Sequence, residues 1–139
     1  MEEFISNNEK DTLKFAGKFA KTLKSGDIVL LDGDLGAGKT VFSKGVVSAL
    51  SNDAEIAVSP TFVIVNTYNN CKPPVYHFDL YRINDISELD AIGAEEYFYA
   101  DGISLVEWPS RAYDIFPKKA IKVYIEKLTD EKRLIAYIY

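Results

Sequence analysis

Between Asp11 and Lys24 the apolar residues Leu13, Phe15, Ala16, Phe19, Ala20 and Leu23 recur at intervals of three and four. That spacing predicts an amphipathic helix with Asp11 as its N-cap, stopped by Ser25-Gly26-Asp27. The period then changes. Ile28-Val29-Leu30-Leu31 is an unbroken apolar run, as a strand covered on both faces of an α/β sheet requires, and a glycine-rich turn leads into a helical segment from Lys39 to Leu50. Beyond a polar linker and the punctuation Val58-Ser59-Pro60-Thr61, Phe62 to Tyr68 reads as a strand rich in β-branched residues. Asn69 to Pro74 makes a turn. Val75 to Tyr81 alternates, with Tyr76, Phe78 and Leu80 on one face and His77, Asp79 and Tyr81 on the other.

Ser87 to Tyr99 reads as one or two short helices, with Ser87 as a cap and Gly93 as the break. After Gly102, Ile103-Ser104-Leu105-Val106 is a second buried strand, ending in Glu107-Trp108-Pro109. The tail holds two β-rich segments, Ile121 to Glu126 and Arg133 to Tyr139, joined by the polar Leu128-Thr129-Asp130-Glu131-Lys132. This predicts an antiparallel hairpin at the sheet edge, and hence a mixed sheet. With 139 residues, 47% of them hydrophobic and 27% charged, the chain fits one domain, 1–139, with a single core.

Composition removes several functions. No run approaches the roughly eighteen apolar residues of a membrane helix. The opening MEEFISNNEK is acidic and polar where a signal peptide is basic and then apolar, so a cytoplasmic protein is expected. Cys71 stands alone and makes no internal disulfide; with His77 as the sole histidine, a zinc site of the usual Cys/His kind is excluded. A net charge of −5 disfavours nucleic-acid binding by this chain alone. The arginines are Arg82, Arg111 and Arg133 only, too few for the basic lid of a typical small-molecule kinase.

The strongest chemical signal is Gly33-Asp34-Leu35-Gly36-Ala37-Gly38-Lys39-Thr40, which satisfies G-x-x-x-x-G-K-[ST] at every fixed position. Glycines let successive N–H groups turn inward around a phosphate, helped by the positive end of the following helix. Lys39 is then placed to reach the β- and γ-phosphates, and the Thr40 hydroxyl to ligate Mg²⁺. An ordinary glycine turn before a helix is the plainer reading, and the buried strand ahead of the motif with the helix behind it argues against that. The expected architecture is a P-loop NTPase three-layer sandwich with a mostly parallel central sheet.

A P-loop needs a further acid at the end of a neighbouring strand, to hold the cation or its waters and to position the attacking water. Glu107 and Asp79 qualify. Their plainer readings are a solvated strand end for Glu107 and a salt bridge to Arg82 for Asp79. Ser59-Pro60-Thr61 fits a switch-like segment and equally a turn. His77 reads better as a hydrogen-bonded structural residue than as a general base. Trp108 fits a place beside the nucleotide or a cap on the core, and Lys118-Lys119 a solvated turn.

Taken together, GDLGAGKT at 33–40, SPTF at 59–62, YHFDLYRI at 76–83, ELDAIGAEEYF at 88–98 and ISLVEWPSR at 103–111 closely resemble the TsaE (YjeE) family, small bacterial P-loop ATPases of tRNA threonylcarbamoyladenosine biosynthesis. The resemblance spans nearly the whole chain. It implies an ATP- and Mg²⁺-dependent ATPase that works with the proteins TsaB and TsaD and acts on tRNA only indirectly. TsaD transfers a threonylcarbamoyl group to the adenosine beside the anticodon in tRNAs reading codons that begin with A. By motif match, Lys39, Glu107 and Asp79 are the catalytic residues, and Thr40, Glu107 and Asp79 attend the metal. Asp34, Leu35, Gly36, Ala37, Gly38, Lys39, Thr40, Thr61 and Trp108 are the nucleotide-binding residues. Val41 replaces the second threonine often seen after GKT, outside the chemical positions. A small-molecule kinase, or a nucleotide-dependent binding module with incidental hydrolysis, are the rival functions.

Overall fold

The computed structural model describes residues 2–51, 64–98 and 100–138. Its strands are β1 (Glu2–Ser6), β2 (Ile28–Asp32), β3 (Val65–Tyr68), β4 (Val75–Asp79), β5 (Ile103–Glu107), β6 (Ile121–Lys127) and β7 (Arg133–Ile138). The helices are α1 (Glu9–Ala20), α2 (Lys39–Leu50), α3 (Ser87–Ala91) and α4 (Ala94–Phe98), with short 3-10 turns at Pro109–Arg111 and Tyr113–Ile115.

One seven-stranded sheet runs β1-β7-β6-β2-β5-β4-β3. The central strands β6, β2, β5 and β4 are parallel, and both margins are antiparallel. Strand β2 lies at the centre because it is apolar on both faces. Val29 and Leu31 pack with α1 and α2, while Ile28 and Leu30 pack with α3 and α4. The interior is therefore two clusters divided by the sheet, rather than the single core expected from length. The expected three layers and C-terminal hairpin are present. No helix of the described residues is long and apolar enough to cross a membrane.

Four local expectations change. Helix α1 starts earlier, at Glu9: Asn8 is the N-cap and its Oδ1 accepts from the Asp11 N–H at 2.8 Å. Asp11 sits inside the first turn and takes the N–H of Asn7, the residue before the cap, on its carboxylate at 3.1 Å. Ser87 likewise begins its helix, and Ile86 is the cap. Beyond the hairpin lies β1, which pairs antiparallel with β7 and forms the true margin of the sheet. Its sequence Glu-Glu-Phe-Ile-Ser carries almost no apolar periodicity, so backbone pairing and the stacking of Phe4 on Phe15, centroids 4.6 Å apart, hold it in place. The expected break at Gly93 is found, with φ +69° between α3 and α4. The strand expected from Phe62 begins at Val65 among the described residues, and Phe62 itself lies outside them.

Helices α1 and α2 cross closely. A Cβ on Gly45 would lie 2.6 Å from the Ala16 Cβ and 2.8 Å from the Leu13 carbonyl oxygen. Since α2 carries the glycine loop at its start, this contact seats the loop against the sheet. Gly45→Val is expected to destabilise the fold by about 1–3 kcal/mol through overpacking, read as a lowered urea midpoint. An unchanged midpoint would show that α1 moves aside at no cost.

Candidate functional site

The glycine loop leaves the carboxyl end of β2. Asp32 joins its start to the turn at Tyr113: Oδ1 accepts the Gly33 N–H at 2.9 Å, and Oδ2 accepts the Tyr113 hydroxyl at 2.7 Å. Burial, and then this bond to Asp32, push the Tyr113 phenol up, so it stays a donor. Gly33 has φ +155°, and a Cβ there would lie 2.5 Å from the Ile125 carbonyl oxygen of β6. Only glycine fits. At the far end Gly38, φ +106°, is the N-cap of α2 and supplies no side-chain cap, so the leading N–H groups of the helix remain for an anion.

Lys39 follows at once and is 5% exposed. Its Nζ donates to the carbonyls of Gly33 and, at 3.1 Å, Asp34, and lies 3.7 Å over the Trp108 ring. Burial holds the ammonium below the usual lysine range. The fields of Glu107, Asp32, Asp79 and Asp34 oppose that shift without reversing it. A phosphate offers this cation the countercharge that carbonyls and an indole supply only in part.

The parallel register of β4 with β5 sets Asp79 directly beside Glu107. Glu107 is 2% exposed, which removes the solvated-strand-end reading. Its Oε2 lies 2.5 Å from Nε2 of the fully buried His77. His77 is thus hydrogen-bonded, as expected, and its partner is the site acid itself. Trp108 adopts the left-handed conformation, φ 60°, ψ 50°, rare for a bulky side chain. It packs on Tyr81 at 4.8 Å, while Pro109 behind it is buried. Backbone strain of about 1–3 kcal/mol is typical of residues held in such regions at functional sites.

These groups enclose a cavity of about 350 Å³, with loop residues from Leu35 to Val41 on one wall and Asp79, Tyr81, Glu107, Trp108 and Arg133 around the rest. Of the expected residues, Leu35, Gly36, Ala37, Gly38, Lys39, Thr40, Asp79, Glu107 and Trp108 meet there. Asp34 does not line it; it faces a neighbouring groove and offers Lys39 its carbonyl. Thr61 and the Ser59-Pro60-Thr61 segment lie outside the described residues. Lys118-Lys119 form an exposed turn, as expected.

Sequence reasoning missed Arg133. Its Nε donates to the Ala37 carbonyl at 2.9 Å, and its guanidinium also binds the Thr129 carbonyl at 2.8 Å and that of Asp130 at 3.2 Å. It ties the β6–β7 turn to the glycine loop. The only signal available was the scarcity of arginine. Arg133 also borders a second cavity, of about 370 Å³, which shares Gly38 and Val41 with the first and reaches Asn8, Thr12 and Asp130.

A buried central strand, a glycine loop packed against its neighbour strand and a helix opening on a buried lysine define a P-loop α/β protein. Known proteins narrow this class. The family model described as Threonylcarbamoyl adenosine biosynthesis protein TsaE matches residues 6–135, and the chain belongs to the TsaE family. It is 39% identical to the tRNA threonylcarbamoyladenosine biosynthesis protein TsaE of Bacillus subtilis, covering 94% of this chain and 80% of that one. The protein of the same name from Haemophilus influenzae is 36% identical, covering 91% and 83%. The crystal structure of Bacillus subtilis YdiB superimposes with a TM-score of 0.80 at 32% identity, covering 98% of this chain and 83% of that one.

Because burial disfavours the Lys39 ammonium, Lys39→Met is expected to leave the empty protein as stable as the unaltered chain or more so in urea denaturation. Calorimetry should show its triphosphate affinity reduced at least tenfold (about 1.4 kcal/mol or more). A stability loss above about 1 kcal/mol would mean that the carbonyl contacts outweigh desolvation.

Proposed function

We propose that the chain is an Mg²⁺-dependent ATPase subunit of cytoplasmic tRNA threonylcarbamoyladenosine biosynthesis, hydrolysing ATP in support of a TsaB–TsaD complex that performs the transfer to tRNA. The observation that carries the hydrolytic part is the Asp79–Glu107 register, which puts two carboxylates in one cavity with Lys39 and Thr40. Family membership supports the pathway.

The loop's N–H groups and the Lys39 ammonium bind the triphosphate, with the lysine exchanging backbone carbonyls for phosphate oxygens. The second cavity, beyond Gly38 and Val41, has room for the nucleoside. Thr40 and the two acids would hold magnesium, offering a hydroxyl and carboxylate oxygens, the hard donors that ion takes. Magnesium, when bound, neutralises charge on the phosphates. Glu107, largely shielded from bulk water, orients the attacking water and accepts its proton, and Asp79 holds the adjoining water or metal ligand. Trp108 covers the lysine and limits solvent access.

Phosphate release should be measured with the purified chain, alone and with TsaB and TsaD. Glu107→Ala is expected to reduce the rate in the full complex by about 10²-fold or more while leaving triphosphate affinity within a few-fold. A normal rate in that variant would refute the assigned role of Glu107. A binding module with incidental hydrolysis would instead support tRNA modification with the Asp79 and Glu107 variants.

A further inference from the structure

His77 lies deepest in the site, touches none of the cavity, and has no task in the chemistry above. It is 0% exposed on β4, paired in register with Leu105, so its ring leans toward the next residue but one on β5, Glu107. The 2.5 Å contact joins its Nε2 to Glu107 Oε2, while Nδ1 has no hydrogen-bond partner among the described residues. A carboxylate only accepts, so an ionised Glu107 requires the proton on Nε2. The contact therefore makes Nε2–H the donor and Glu107 Oε2 the acceptor.

We propose that His77 is a positioning residue: its Nε2–H holds one oxygen of Glu107 and fixes the orientation in which the carboxylate's other oxygen serves the cavity. An unheld glutamate has rotatable bonds along its side chain, and freezing it in one rotamer is what keeps a base within reach of a water. The inference rests on the proposed role of Glu107 for its functional part alone; the hydrogen bond itself is a property of the empty protein.

His77 is the sole histidine, so imidazole nitrogen NMR of the labelled chain reports on it without assignment ambiguity. Without nucleotide, the spectrum should show a protonated Nε2, and the Nε2–H resonance should move on Glu107→Gln. Protonation at Nδ1 alone, or an Nε2 signal indifferent to Glu107→Gln, overturns the proposal. The kinetic arm uses two amides. Glutamine carries its N–H as many bonds from Cβ as Nε2, whereas asparagine carries it where Nδ1 lies. His77→Gln should keep kcat within about threefold and His77→Asn should lose about 10–100-fold in kcat, both with KM for ATP unchanged. Equal rates in the two variants, or an effect on KM alone, overturn it. If His77→Asn does not fold, a tenfold loss in a folded His77→Gln does so instead. Should the unaltered chain release no phosphate even with TsaB and TsaD, the hydrolytic reading fails on its own, and the NMR result still decides the pairing.

Discussion

The turn at Gly33 reverses the chain from β2 into α2 within contact of the Ile125 carbonyl on the neighbouring strand, and no side chain fits in that gap. Strand β6 is therefore a buttress as well as a sheet member. Its parallel pairing with β2 fixes where the loop turns, and the close crossing of α1 over Gly45 fixes where the following helix goes. From these two close approaches follow the position of Lys39, the cavity in front of it, and the strand ends that face it. The sheet supplies rigidity and the glycines supply proximity.

Within this frame the site is held at some cost in stability. A lysine is buried, its neighbour Trp108 takes a left-handed backbone, and a carboxylate is almost fully withdrawn from water. Each departure would be unfavourable alone. They offset one another: the indole covers the ammonium, the acids hold its charge partly in place, and His77 satisfies the buried carboxylate. An anion entering the cavity would meet this ammonium directly. Local rules are broken most densely where the chemistry is expected.

Arg133 and the second cavity extend the site towards the chain's margins. The guanidinium joins carbonyls of the β6–β7 turn to those of the glycine loop, so the hairpin's turn cannot shift without loading the loop. The N-terminal segment around Asn8 and Thr12 lies across the same opening. Both ends of the chain thus meet beside the loop, brought there by β1 pairing with β7.

Short-range pattern determined a good deal by itself. The apolar run of β2, the fixed glycines and lysine after it, and the alternation along β4 lie within single elements, where side-chain period and backbone sterics are written residue by residue. They yield the strand, loop and helix, the candidate phosphate-binding residues and both candidate acids, and the motif order carries the family. Tertiary structure alone decided that Asp79 stands beside Glu107, that His77 is that acid's partner, that Arg133 reaches the loop, and that Glu2–Ser6 is a strand. Those are contacts between elements far apart in the chain, selected by sheet order and register. A strand's own residues state which face is apolar but do not name the neighbour that will cover it.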